Sequence, residues 1–295
     1  MKKYAVRSTL DTTDKSLKGF SPFLEDLLRA RGIETTDAAE AFLNPDYDKH
    51  LHDPYTLADM EKVVQRILKA IDQNEKVLMY SDYDADGIPG GVMLADFFRK
   101  IGFTNFSNYI PHRHDEGYGL HAEAIEGFAE EGVKLLITID CGIRDFESVL
   151  KAKGLGIDVI VSDHHELGEK LPEAFAVLNP KRPDCMYPEK MLCGSGVIFK
   201  LIQAILIKKD FGLKKGAEKW FLDMVGLATL SDMVPLTGEN RVFAHYGLKV
   251  LRKSPRPGLQ QLLKLLNMYQ QGLTEDDVGF MITPRINAAS RMGKP

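Results

Sequence analysis

Three aspartates, Asp82, Asp84 and Asp86, alternate along the stretch YSDYDADGIPGG. In an extended chain, side chains two residues apart point the same way, so this spacing crowds three like charges together. A divalent cation would relieve their repulsion, because a bound ion is often the largest local charge in a site. Gly90 and Gly91 lie near the start of the next predicted helix, where backbone N–H groups can approach a bound anion. The stretch is therefore predicted to form one wall of a metal site that faces a phosphate.

Further ligand types follow two other short apolar runs. KLLITI ends at Asp140, and DVIVS ends at Asp163, which is followed by His164 and His165. Carboxylates with one or two imidazoles and no thiolates suit Mn²⁺ or Mg²⁺. Two such ions ~3.5–4 Å apart can hold a phosphoryl group from both sides and activate a water. Each acid taken alone is as well explained as a helix N-cap or turn residue; the convergence of three strand ends favours the metal site.

Two more segments carry candidate site residues. Asp232 follows FLDMVGLATL, a run that should be buried, so its carboxylate needs a partner there. A helix-end cap is the alternative explanation for Asp232. In TPRINAASRM, Arg285 and Arg291 flank Asn287. Guanidinium groups bind phosphate bidentately, which makes this segment a candidate substrate contact, with ordinary surface arginines as the alternative.

The elements that must position these residues alternate between strand and helix. Short β-rich runs are predicted at 76–80, 104–110, 134–140, 158–163 and 175–179, and helices at 90–101, 121–131 and 144–153. This alternation predicts an α/β fold with a parallel sheet and helices on both faces. Ligands bind such sheets outside the carboxyl ends of the strands, where the acids fall.

Helical patterns flank the sheet on both sides. Two short helices are predicted within 21–43 and an amphipathic helix over 58–74; after about residue 190, helices are predicted at 194–210, 216–230, 239–252, 257–268 and 274–282, with SPRPG as a turn. We therefore expect a helical N-terminal segment packing on the core (1–75), an α/β core (76–190) and a mainly helical remainder (191–295).

Bulk composition limits the classes of protein. The 295 residues carry a net charge of −4, which does not indicate a nucleic-acid partner. Three basic runs, KRP, KKDFGLKK and LRKSPRP, are explained as solvated helix faces. If metal neutralises the clustered acids, however, the remaining surface is more positive than the net charge implies. Three cysteines without a CxxC pair exclude a disulfide framework and a thiolate zinc site, and a reducing cytoplasm is expected. No run reaches the ~20 apolar residues of a membrane span.

Several motifs together resemble one known family. SDYDADG, TIDCGI, VSDHHE, LCGSGVIFKL, TLSDMVPLTGENR and PRINAASRMG occur in the order and spacing of the DHH phosphoesterase superfamily, in its RecJ-type branch of single-strand-specific exonucleases. The resemblance extends from about residue 20 to the end. It implies a core that binds two divalent cations, Mn²⁺ in preference to Mg²⁺. It also implies hydrolysis of single-stranded DNA to mononucleotides, with 5′–3′ polarity, in DNA repair and recombination.

Position by position, the resemblance implies five metal ligands, which are Asp84, Asp86, Asp140, His164 and Asp232. Among them Asp140 would bridge the two ions, and Asp82 is a further candidate ligand. The other implied site residues orient the histidines or contact substrate: Asp163 for the histidine pair, His165 for the substrate phosphate, and Arg285, Asn287 and Arg291 for the nucleotide.

Three departures from the family pattern leave alternatives open. Tyr80 stands where many members have histidine, IPGG replaces hydroxyl-bearing small residues, and no GGH segment of a second substrate-binding domain is found. We expect that second domain to be absent, or to be supplied by another chain. A phosphoesterase for short oligonucleotides, cyclic dinucleotides or pyrophosphate is the first alternative function. A non-catalytic replication scaffold is the second, and the full set of acids and histidines argues against it.

Overall fold

The computed structural model describes residue 17 and residues 19–293, and the chain divides into two compact units after Leu51. Residues 1–16, 18, 294 and 295, which include parts of the predicted N-terminal segment and helical remainder, lie outside the described residues. The predicted domain boundaries at 75/76 and 190/191 stay predictions.

The N-terminal unit contains two short helices, as the sequence predicts. Helix α1 (Pro22–Arg29) begins after Ser21, whose hydroxyl accepts a hydrogen bond from the N–H of Leu24 at 3.4 Å. Helix α2 (Thr36–Leu43) begins in the same way after Thr35. Such caps satisfy N–H groups that have no partner within the helix. The two helices bury a small apolar cluster of their own, which contains Leu17, Leu28, Ile33 and Ala39.

A five-stranded parallel sheet forms the centre of the second unit. Its strands are β1 (Lys76–Ser81), β2 (Phe106–Tyr109), β3 (Val133–Ile139), β4 (Asp158–Ser162) and β5 (Ala176–Leu178), in the spatial order β2-β1-β3-β4-β5. Every neighbouring pair is parallel. The predicted α/β parallel sheet is confirmed. Because the chain leaves β1 toward one edge for β2 and then crosses to β3 on the other side, the topological switch point lies between β1 and β3.

Helices cover both faces of this sheet. On one face α5 (Ala122–Glu130) and α6 (Phe146–Gly154) pack on alternate strand residues, with Tyr80, Leu136 and Val161 in the shared core. Successive strand residues point to opposite faces, so Met79 and Ile137, also fully buried, face the other layer. That layer contains α3 (Met60–Asp72), α4 (Gly87–Lys100) and α7 (Gly194–Lys208). Burial on both faces explains why the strands read as continuous apolar runs.

The remaining helices follow the sheet in the chain. They are α8 (Leu222–Ser231), α9 (Gly238–Leu251), α10 (Pro257–Leu265) and α11 (Thr283–Met292), with short 3₁₀ helices at Pro54–Thr56, Ala217–Phe221 and Gln270–Gly272 and a π-helix at Asp277–Ile282. Helices α8 and α9 approach so closely that a Cβ atom on Gly226 would lie 2.4 Å from the Cα atom of Gly247. The predicted SPRPG turn separates α9 from α10. None of the described helices has the length and apolarity to cross a membrane.

Candidate metal centre

The carboxyl ends of three strands place three acids side by side. The N–H of Asp82 donates to the carbonyl of Ile139, that of Asp140 to Ser162, and that of Asp163 to Leu178, each at 3.0 Å. Each acid therefore extends the backbone ladder by one residue toward the neighbouring strand. We call this arrangement of stepped backbone hydrogen bonds the ladder step. It fixes the three residues at the carboxyl ends of their strands, beside the switch point.

The loop after β1 is held by its own carboxylates. Oδ1 of Asp84 accepts hydrogen bonds from the N–H groups of Asp86 at 2.8 Å and Gly87 at 2.9 Å, which turns the chain directly into α4. The buried Asp86 carboxylate accepts from the N–H groups of Gly194 at 2.6 Å and Ser195 at 2.7 Å. These two donors are at the N-terminus of α7, where the helix dipole favours negative charge. The first motif is thereby joined to a helix that follows it by more than a hundred residues.

Asp140 is in the left-handed region, with φ +64°. Few residues other than glycine adopt this conformation, and aspartate is among those that tolerate it. The hydroxyl of Tyr118 donates to the Asp140 carbonyl at 3.0 Å. A Cβ atom on Gly194 would lie 2.7 Å from Oδ1 of Asp140, so only glycine fits at the facing position. The side chain of Asp140 is aimed inward, and its Oδ1 is buried without a hydrogen-bond donor among the described residues.

Asp163 orients the histidine pair. Its Oδ1 accepts from the N–H groups of His164 at 2.7 Å and His165 at 3.0 Å, and lies 2.8 Å from Nδ1 of His165; its Oδ2 accepts from the N–H of Ile143 at 3.0 Å. Burial opposes ionisation, but the hydrogen bonds from His165 and Ile143 hold the pKa of Asp163 below its ordinary value. The hydrogen bond to Asp163 in turn raises the pKa of His165. With Nδ1 facing Asp163, Nε2 of His165 is left for another partner.

His164 lies between the other acids. Its Nε2 is 3.1 Å from Oδ1 of Asp140 and 3.7 Å from Oδ2 of Asp86, and its Nδ1 is 3.8 Å from Oδ2 of Asp232. Asp232 directly follows the last residue of α8, where the helix dipole disfavours a carboxylate, so the position at the metal centre explains it better than a cap does. Three overlapping groups have ligand atoms within 4.8 Å of one another: Asp82, Asp84 and Asp140; Asp86, His164 and Asp232; and Asp140, His164 and His165.

Ionisation of the carboxylates in this cluster is energetically unfavourable without a counter-charge. Burial, together with the neighbouring Asp84, raises the pKa of Asp82 to about 7, and burial with Asp86 and Asp84 raises that of Asp232 to about 7. Burial also raises the pKa of Asp86, and burial with the surrounding aspartates raises that of Asp140 well above its ordinary value. Oδ1 of Asp82, like Oδ1 of Asp140, is buried without a donor in the described part of the chain. Hard oxygen ligands with an imidazole fit divalent cations such as Mn²⁺ or Mg²⁺.

Residues 76–229, about half of the chain, match the family model described as the DHH family, N-terminal domain. The chain belongs to the DHH family.

Similar proteins agree with this assignment. The chain is 39% identical to the single-stranded-DNA-specific exonuclease RecJ of Bacillus subtilis over 92% of its own length and 33% of that protein. It is 33% identical to the Escherichia coli enzyme of the same name, over 97% of this chain and 50% of the enzyme. The chain thus spans a third to a half of the length of these relatives.

Solved structures show the same fold. A crystal structure of exonuclease RecJ bound to manganese superimposes with a TM-score of 0.72 at 32% identity, covering 81% of this chain and 59% of that one. RecJ from Thermus thermophilus in complex with Mg²⁺ gives a TM-score of 0.63 at 26% identity, covering 90% of this chain and 33% of that one.

Gly90 and Gly91 of this DHH domain are packing positions. A Cβ atom at Gly90 would lie 2.7 Å from Cγ2 of Ile139, and one at Gly91 would lie 2.5 Å from Oγ of Ser81. Both residues are buried, and the N–H of Gly90 donates to the carbonyl of Asp86 within α4. The helix also begins at Gly87, three residues before the predicted start, because Asp84 turns the chain there. Their lack of a side chain lets α4 pack against the sheet, and the predicted substrate contact of these glycines stays a prediction.

The three candidates in the last helix have different surroundings. Oδ1 of Asn287 accepts a hydrogen bond from the N–H of Ala85 at 2.8 Å, so this side chain holds the aspartate loop. Arg291 lies close enough to Tyr83 for its charge to lower the pKa of that phenol, although burial and Asp82 raise it overall. Arg285 donates to the carbonyls of Phe280 and Met281 in the preceding turns and is not brought to the cluster.

Three residues at the centre are absent from the set of candidates drawn from the sequence. The guanidinium of Arg113 lies 4.7 Å from the ring centre of Tyr83. Tyr118 contacts Nδ1 of His165 at 3.1 Å. The charge of Lys181 acts on both His164 and Asp232. The polar, glycine-containing stretch IPHRHDEGYGL, which holds the first two, is a signal for a substrate-facing loop, but it does not indicate which side chains turn inward.

Replacing Asn287 with alanine is expected to cost about 1–3 kcal/mol of unfolding free energy, because the buried N–H of Ala85 loses its acceptor. The looser aspartate loop should also weaken Mn²⁺ binding. Urea denaturation and titration calorimetry measure the two effects. Arg285→Ala is the matched control, since the exposed Arg285 contacts backbone carbonyls in the turns just before its own helix and should change stability by less than about 0.5 kcal/mol. Equal behaviour of the two variants would contradict the positioning role of Asn287.

Proposed function

We propose that this chain is the catalytic part of a single-stranded-DNA-specific exonuclease that uses two divalent cations, with Mn²⁺ preferred over Mg²⁺. The observation that carries the proposal is a chain of three ligand groups, two of which share the buried Asp140 carboxylate and two of which share His164. The names of the RecJ relatives and the manganese in a similar structure support it. A role in DNA repair and recombination, in the cytoplasm, follows as part of the same proposal.

In this proposal the metal ligands are Asp84, Asp86, Asp140, His164 and Asp232, with Asp82 as a further candidate. Two bound cations would supply positive charge that stabilises the transition state and activates the attacking water. The role of Asp140 as the shared ligand is supported by its place in two of the three groups. Asp86 keeps the cluster in register with α7 through its two backbone hydrogen bonds.

The other residues of the centre are proposed to position the substrate. Asp163 holds Nδ1 of His165, so Nε2 is presented to a scissile phosphate. A proton on that nitrogen is favoured by the raised pKa of His165 and would be available to a leaving oxygen. Arg113 and Arg291, whose charges both reach Tyr83, give this side of the centre a positive potential that suits a polyanion. Asn287 and Arg285 are assigned no direct nucleotide contact.

A nuclease assay tests the proposal. With Mn²⁺, single strands labelled at the 5′ end should release labelled mononucleotide before strands labelled at the 3′ end do, and EDTA should abolish the reaction. Duplex DNA of the same sequence is the matched control and should be resistant. Turnover of dinucleotides or pyrophosphate alone would instead favour the phosphoesterase for short substrates. No turnover of any of these substrates, with Mn²⁺ bound, would contradict both enzymes.

A further inference from the structure

Helix α9 presents a row of basic residues on one side. Arg241, His245, Lys249 and Arg252 are spaced by four, four and three residues, which places them on one helical face, and Lys253 follows. The opposite side of the helix is buried and includes Phe243, Gly247 and Val250. We call the outward set the α9 stripe; its members are Arg241, His245, Lys249, Arg252 and Lys253.

The stripe is close enough for its charges to act on one another. After burial, the groups that lower the pKa of His245 are Lys249, Arg241 and Arg252, all of them cations. Arg252 donates through Nε to the carbonyl of Leu273 at 2.8 Å, a neutral partner that leaves its charge in place. Lys249, Arg252 and Lys253 therefore give the C-terminal part of this face a positive potential.

Aromatic rings are interleaved with the cations. Nζ of Lys253 lies 5.5 Å from the ring centre of Trp220, and Nζ of Lys249 lies 4.9 Å from that of Tyr246. The Trp220 side chain is half exposed, at 51%. Proteins that bind single strands combine a cationic surface that follows the backbone with aromatic rings on which bases stack.

One end of the stripe lies beside the metal centre. Gly226 of α8 packs on Phe243 and Gly247 of α9, and Gly247 in turn lies against Leu222, so the two helices are antiparallel. The last turn of α8, which leads to Asp232, is therefore next to the first turn of α9, which leads to Arg241. From Arg241 to Leu251, the last residue of α9, the helix rises about 15 Å. The cations thus extend away from the hydrolytic centre over the length of several phosphates.

We propose that the α9 stripe binds the phosphodiester backbone of single-stranded nucleic acid outside the metal centre, with Trp220 as a base-stacking platform. The assignment of this strand as the substrate of the metal centre rests on the proposed function, whereas binding itself does not. An acidic protein segment would also meet the cations, but it would gain nothing from the flat rings between them. The interleaving therefore favours a nucleic acid.

Binding is measured in EDTA, so that hydrolysis plays no part. Trp220 is the single tryptophan of the chain, and its fluorescence should be quenched by oligothymidylate of about 20 nucleotides. The double variant Lys249→Ala/Lys253→Ala should bind this strand about tenfold more weakly. The slope of log affinity against log salt should become shallower by about 1.4, since two phosphate contacts are lost.

The matched control removes two lysines from the other layer of the protein. Lys151 and Lys153 of α6 pair with Glu126 and Glu173, and Lys151→Ala/Lys153→Ala changes the net charge by the same amount. It should leave both affinity and salt slope unchanged. Equal losses in the two double variants would show that net charge alone matters and would overturn the proposal, as would wild-type binding by Lys249→Ala/Lys253→Ala.

Two further outcomes separate this proposal from its alternatives. A polyglutamate peptide of equal charge that binds more tightly than oligothymidylate, and is lost in the Lys249→Ala/Lys253→Ala variant, would reassign the stripe to an acidic protein. If the α9 stripe binds the strand but the protein hydrolyses nothing with Mn²⁺, the binding role of the stripe is supported and only the proposed nuclease function is contradicted. If Lys249→Ala/Lys253→Ala leaves the hydrolysis of both long and short strands unchanged, the binding role of the stripe is contradicted and the proposed nuclease function is retained.

Discussion

Asp140→Asn is expected to lower Mn²⁺-dependent hydrolysis of a single strand on the order of 10³-fold, and to make the metal-free protein more stable. Asp140 belongs to two of the three ligand groups, so its carboxylate charge affects both proposed cation positions. Asparagine keeps the size of the side chain and tolerates the left-handed backbone of this position, whereas alanine would add backbone strain. The loss of activity is thereby separated from misfolding.

The expected gain in stability has a specific cause. Without metal, Asp140 is a buried carboxylate whose pKa is raised by burial and by Asp86 and Asp84, so its ionised form opposes folding. A neutral amide removes that opposition, and the gain should be about 1 kcal/mol or more in urea denaturation with EDTA. Asp72→Asn, at an exposed residue paired with Lys209, is the matched control and should change neither quantity. Activity within tenfold of wild type, or a marked loss of stability, would refute the two-metal assignment of Asp140.

The second large effect is a reversal of the pH dependence of stability by metal. The pKa values of Asp82 and Asp232 are about 7 in the folded protein and about 3.9 in an unfolded chain, so the folded state binds more protons between these values. The contribution of these groups is therefore fully present below about pH 4 and is lost as the pH rises through about 7. In EDTA, wild type should lose stability across this window relative to Asp82→Asn.

Mn²⁺ should invert that trend, because only deprotonated carboxylates bind it and its affinity rises with pH. At a hundredfold excess over its dissociation constant, the ion should add about 2.7 kcal/mol. Urea denaturation at a series of pH values, with EDTA or Mn²⁺, measures both trends. The comparison with Asp82→Asn removes the contributions of groups elsewhere, such as Asp184, whose pKa is lowered by Arg182. Parallel curves for wild type and Asp82→Asn in EDTA would contradict the prediction.

The strands and the acids that follow them were predictable from the sequence, because each strand is a short apolar run and the acid comes directly after it. Asp82, Asp140 and Asp163 each follow a buried run, and the rule that ligands bind at the carboxyl ends of parallel strands brings them together without further information. The residue roles implied at the metal centre stay predictions, although the structure places all five implied ligands in one cluster.

Other features depend on contacts between distant residues. The two hydrogen bonds from the start of α7 to Asp86 join residues more than a hundred positions apart, and no local pattern indicates them. Asn287 reaches Ala85 across a still longer separation, and the helix that carries it is not predicted from the sequence. The packing role of Gly90 and Gly91 could not be predicted for a related reason: a glycine that permits close packing and a glycine that admits a ligand look alike in a sequence.

The ladder step also bears on how such a centre tolerates change over evolutionary time. Because Asp82, Asp140 and Asp163 are held through their backbone N–H groups, their spacing is inherited from strand pairing and does not depend on which side chains the strands bury. Apolar residues within β1, β3 and β4 are therefore free to exchange for one another while the chemistry is retained. Insertion of a single residue into one of these strands is a different matter, since it would turn the acid at its end to the opposite face of the sheet. Strand length, more than strand composition, is the inherited constraint.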